Sequence, residues 1–66
     1  MALKLTLFLN LAVCKYKLKE FASIIGITDQ VLEMDPNNVK GLYFRGKAFI
    51  ETEEFGKAVE SFTRLV

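Results

Sequence analysis

Apolar residues recur along this 66-residue chain at spacings of three and four, the period of helices buried along one side. Phe8, Leu11, Ala12 and Lys15 fall at i, i+3, i+4 and i+7 and predict a helix over about 2–18, with the lysine a flaw in its packing stripe. Lys19-Glu20 makes a short polar break. A second helix, over about 21–34, turns Phe21, Ile24, Thr28, Val31 and Leu32 inward. It is locally weak, because Ile24, Ile25, Ile27, Thr28 and Val31 are β-branched and Gly26 costs about 1 kcal/mol relative to alanine. Packing must therefore hold it. Asp35-Pro36-Asn37-Asn38 is a turn, since proline fixes φ and asparagine tolerates tight backbone. A third helix over about 39–52 packs through Leu42, Gly46 and Phe49. Glu53-Glu54 breaks the pattern again, and a fourth helix over about 55–66 carries Phe55, Ala58, Val59, Phe62 and Leu65 on one face. Gly46, in mid-helix, is expected where a neighbouring helix comes close.

Shifted by 34 residues, the chain matches itself. Phe21 meets Phe55, Ala12 meets Gly46, Val31 meets Leu65 and Leu32 meets Val66, while Phe8 meets Leu42 and Ile24 meets Ala58. A fixed period of this size marks stacked supersecondary units rather than a conventional globule. The apolar pattern runs to Val66 with no cap, glycine or charged end. The expectation is a piece of a longer array which, alone, covers its open faces by self-association.

Composition narrows the chemistry. Hydrophobic residues are 52% of the chain, which excludes intrinsic disorder and leaves apolar surface for a neighbour. Nine basic residues against eight acidic give a net charge of +1, so nothing in the total points to nucleic acid. The run 1–14 is too short and too interrupted by Lys4, Thr6 and Asn10 to span a bilayer, and no membrane partner is expected. A single cysteine, Cys14, cannot form an internal disulfide, so a reducing, cytoplasmic setting is expected. It is expected to act as a small buried hydrophobe. With no histidine and one cysteine there is no zinc set, and Glu51, Glu53 and Glu54 suit a solvated turn better than metal or acid–base work. No phosphate loop or nucleophile triad is present. No cofactor, metal or catalytic residue is expected in this chain.

Two helix hairpins at this period resemble the tetratricopeptide repeat. That family places a small residue in helix A, an aromatic at the start of helix B, then alanine, an aromatic and a closing proline. Leu42, Gly46, Phe49, Phe55, Ala58 and Phe62 fit it well; Phe8, Leu11, Ala12, Phe21 and Pro36 carry the first unit. Lys15, Ile24 and Thr28 depart from the pattern, and Lys19 and Glu53 stand where the A–B turn usually has glycine. The resemblance implies an all-α fold of tandem helix-turn-helix units in a right-handed superhelical fragment. Its first unit is 1–38, and its second, truncated unit is 39–66.

Two runs, F-L-N-L-A-V-C-K-Y-K-L-K-E-F and D-P-N-N-V-K-G-L-Y-F-R-G-K-A, are similar to the second and third repeats of immunophilin co-chaperones. The resemblance implies a protein-binding module that grips the acidic Glu-Glu-Val-Asp tail of a heat-shock chaperone through a carboxylate clamp. It also implies a peptidyl-prolyl isomerase domain elsewhere in the parent. Asn10 and Lys40 match clamp positions, whereas the clamp arginine falls on Phe44. Arg45 lies about 100° further round the helix and cannot take its place. On the groove face of such repeats, Lys40, Tyr43, Phe44, Lys47 and Ile50 would line up with Leu9, Asn10, Val13, Tyr16 and Lys17, apolar and aromatic anchors among lysines. For Phe44, packing against a further helix outweighs an open groove. Asn10 serves equally well as a clamp residue or as a tie between helices. The alternative function is a structural or self-assembling helical module with no clamp.

Overall fold

A computed structural model describes residues 2–65, with the side chain of Ala2 excepted. Four α-helices account for most of it: α1 (Ala2–Lys17), α2 (Phe21–Met34), α3 (Val39–Glu51) and α4 (Phe55–Thr63). Among the described residues there is no strand. α1 packs on α2, α2 on α3 and α3 on α4, while α1 also reaches α3. The turns between helices are short, so successive helices run antiparallel and α1 and α3 run side by side. The result is a slab of 31 × 27 × 14 Å.

The helix ends explain the breaks in the pattern. The Glu20 N–H donates to the Lys15 carbonyl at 2.9 Å and the Lys19 N–H to the Tyr16 carbonyl at 3.0 Å. Thirty-four residues on, Glu54 donates to Phe49 at 2.8 Å and Glu53 to Ile50 at 3.0 Å. Both are Schellman turns, which require a left-handed residue. Lys19 (φ 61°) and Glu53 (φ 62°) supply it without being glycine. These turns close α1 at Lys17 and α3 at Glu51, one residue before the expected ends. α4 stops at Thr63 rather than running on to 66. There the N–H of Leu65 turns back to the Phe62 carbonyl at 3.0 Å, and Val66 lies outside the described residues. The Asp35–Asn38 turn starts α3 cleanly, because the Asn38 Oδ1 accepts from the Gly41 N–H at 2.8 Å and its amide donates to Asp35 at 3.2 Å.

Ala12, Ile24, Val31, Leu42, Ala48, Phe49 and Ala58 form the buried apolar core, joined by Thr28 and Ser61. Those two hydroxyls donate to the Ile25 and Lys57 carbonyls of their own helices, so neither is stranded. Gly46 sits at the predicted close approach. A Cβ there would come within 2.6 Å of the Phe62 ring. Gly41 allows a second approach that periodicity did not single out, where a Cβ would meet Val31 Cγ1 at 2.9 Å. Three expected inward residues are instead exposed: Leu11, Phe55 and Val59. Cys14 is exposed too, and is not the buried hydrophobe expected of it. α1 is apolar on both sides, so spacing alone could not say which side turns inward.

Candidate functional site

The face shared by α1 and α3 follows from helix geometry. Lys40, Tyr43, Phe44, Lys47 and Ile50 lie within about a third of a turn on α3. Tyr16, near the end of α1, meets this face. Its ring stands edge-on to Phe44 at 6.0 Å and to Phe21 of α2 at 5.7 Å. Phe44 also stands edge-on to Tyr43 at 5.5 Å, and Tyr43 leans toward Phe62 of α4 at 6.4 Å. Edge-to-face pairs of this kind add about 0.5–1.5 kcal/mol each beyond the area they bury. An aromatic row thus crosses all four helices.

One cation lies on that row. Lys47 Nζ is 4.6 Å from the centroid of Tyr16 and 5.2 Å from that of Tyr43, and it lies 3.4 Å from the Tyr43 hydroxyl. The phenol of Tyr16, then that of Tyr43, holds the Lys47 ammonium above its ordinary pKa, with desolvation working against them. Lys47 is therefore a fixed positive charge on an aromatic floor.

The other expected site residues are placed less closely. Leu9 and Val13 are half-buried on α1, whereas Asn10 and Lys17 are exposed there. Lys40 is exposed in the first turn of α3. Among the described residues, no hydrogen bond or ion pair joins Asn10 to Lys40. Asn10, being exposed, does not tie one helix to the next. Phe44, expected to need a further helix, finds its ring partners within the chain. Arg45 is turned away from this face. It pairs with Asp29 of α2, and its guanidinium lies 5.0 Å over Phe49. Phe21 and Phe62 were legible as core positions but not as extensions of the aromatic row, because that depends on how far each ring reaches around its helix. Among the described residues no cluster of His, Cys, Asp or Glu could hold a metal ion, and no helix is long and apolar enough to cross a membrane.

Fold and face together define a protein of the all-α class, built from repeated helix hairpins. Proteins that it is similar to are isomerases by name. The chain is 40% identical over 65 residues to peptidyl-prolyl cis-trans isomerase FKBP4 of Mus musculus and of Homo sapiens, covering 98% of the chain but 14% of each relative. It is also 40% identical over 60 residues to peptidyl-prolyl cis-trans isomerase PASTICCINO1 of Arabidopsis thaliana, covering 91% of the chain and 9% of that protein. The chain therefore spans about one-seventh of the FKBP4 length. No protein-family model matches the chain, and no solved structure matches it at a significant level.

Proposed function

We propose that this chain is a tetratricopeptide-type interaction module of a co-chaperone that docks the acidic C-terminal tail of a heat-shock chaperone. The isomerase activity of the whole protein would reside outside these residues. Similarity to FKBP4 over nearly the whole chain supports the family. The observation that carries the docking function is Lys47 held over Tyr16 and Tyr43, with Lys40 about two turns away on the same side of α3. One cation fixed beside aromatic anchors, and a second, exposed lysine on the same side, suit a peptide that is both acidic and partly apolar. Asn10 and Lys40 supply two clamp positions; Phe44 in the arginine's place removes the bidentate grip.

Half a clamp binds weakly, at roughly tens of micromolar, or about −6 kcal/mol. Calorimetric or NMR titration with a Glu-Glu-Val-Asp peptide is the test. Lys40→Ala should abolish measurable binding, and added salt should weaken it. Binding that ignores Lys40→Ala rules out the clamp. Two observations favour a second reading, a self-assembling module without clamp activity: Arg45 is committed to Asp29, and large apolar side chains stand exposed on α1 and α4.

A further inference from the structure

α1 carries a second apolar face, opposite its core. Leu3, Leu7, Leu11 and Cys14 lie within about 80° of arc, and Leu18 follows in the turn that closes the helix. Leu3 is 78% exposed, Leu7 64% and Leu18 65%. Lys4 and Lys15 flank this stripe on one side and Lys17 on the other, and α1 contains no acidic residue. α4 carries a smaller patch of Phe55 (57% exposed) and Val59 (64% exposed), with Glu60 about 100° further round the helix. Glu51, Glu53 and Glu54 lie in the segment that leads into it.

The 34-residue period relates these two faces to a contact already present inside the chain. Leu7, Leu11 and Cys14 correspond to Gly41, Arg45 and Ala48 of α3. There Gly41 abuts Val31 of α2, Arg45 pairs with Asp29 of α2, and Ala48 is fully buried. Phe55 and Val59 correspond to Phe21 and Ile25 of α2, which are half-buried rather than exposed. The outer face of α1 thus has the position of α3's face toward α2, and the open face of α4 has that of α2's face toward α3.

We propose that the chain binds a second copy of itself head to tail, the leucine stripe of α1 on one copy docking on the Phe55–Val59 patch of α4 on the other. This names the faces behind the self-assembly reading above, on which it rests, and leaves the Tyr16–Lys47 face free. Charge selects the polarity. Head-to-tail contact brings the lysines beside the α1 stripe to the surroundings of α4, where Glu51, Glu53, Glu54 and Glu60 outnumber Lys57 and Arg64, whereas two α1 stripes would set lysine against lysine. Such a contact is heterologous, so each copy keeps one open face and the assembly grows.

Sedimentation or light scattering over a concentration series tests it. The average mass should rise past that of a dimer, and more readily at low salt. Leu7→Glu and Val59→Glu should each be monomeric alone, yet an equimolar mixture should give a dimer that grows no further. Lys4→Glu and Glu60→Lys, both exposed, keep the test open if either apolar variant loses helix by circular dichroism. Each should lower the mass at a given concentration, and their mixture should recover it. A wild-type chain that stays monomeric throughout overturns the proposal. So does Val59→Glu that still dimerises and cross-links through Cys14 on oxidation, since that is α1 pairing with α1. Peptide titration of monomeric Val59→Glu reports on the clamp separately, so the two proposals fail independently.

Discussion

Two glycines in helix interiors have opposite meanings. Gly46 has the Phe62 ring where a Cβ would go, whereas nothing lies within 4 Å of a Cβ at Gly26. Gly46→Ala should therefore cost about 1–3 kcal/mol through overpacking, and Gly46→Leu should prevent folding. Gly26→Ala should stabilise by about 0.5–1 kcal/mol, since alanine restricts the unfolded chain and meets no clash. Denaturant melts of the variants check both signs, and a neutral Gly46→Ala would mean that Phe62 moves aside freely. The equivalent of the Gly46–Phe62 pair one period earlier is Ala12 and Thr28, both fully buried. The larger small residue there stands with the smaller partner, so volume is conserved at the joint.

At the scale of the element, the two A–B turns are the same structure built twice from different residues. Glu20 and Glu54 begin their helices at φ −93°, ψ 70° and φ −94°, ψ 69°, and the residue before each is left-handed. A side chain in that region costs roughly 1–2 kcal/mol, which glycine avoids at the expense of more freedom in the unfolded state. Lys19→Gly and Glu53→Gly should each stabilise by about 0.5–1 kcal/mol net, read as a higher denaturant midpoint. Because the turns are 34 residues apart and share no partner, the gains should add in the double variant. A loss of stability at either site would show that the lysine or glutamate side chain itself holds the turn.

For the whole molecule, the joint between α2 and α3 decides whether the two hairpins behave as one body. Gly41 against Val31, Arg45 with Asp29, and the bond from Arg64 to the Pro36 carbonyl at 2.6 Å cross it or brace it. Arg45→Ala removes a half-exposed ion pair and the cation over Phe49, together worth about 1 kcal/mol. In a small domain of marginal stability that is a large share. Native-state hydrogen exchange should show α4 amides opening ahead of those of α2 in the variant. Equal protection of both hairpins would mean that apolar contacts alone carry the joint.

The sequence by itself determined the four helices, the turn at Asp35–Asn38, the 34-residue period and the close approach at Gly46. Each of these is written in local chemistry: spacing of apolar residues, proline and asparagine, and a glycine in the middle of an apolar helix. Helix periodicity also puts Tyr43, Phe44 and Lys47 on one side of α3, whereas Tyr16 of α1 is matched to them only by the resemblance to tetratricopeptide repeats. Only tertiary structure decided the rest. α1 is apolar on two sides, and which side meets α2 depends on the neighbouring helix, so Leu11 and Cys14 ended outside rather than in the core. Phe44 meets Tyr16 of α1, 28 residues away along the chain, and Arg45 meets Asp29 of α2, 16 residues away. No local pattern encodes such contacts, because they arise only when two hairpins, each already specified by its own sequence, are brought to a particular angle and register.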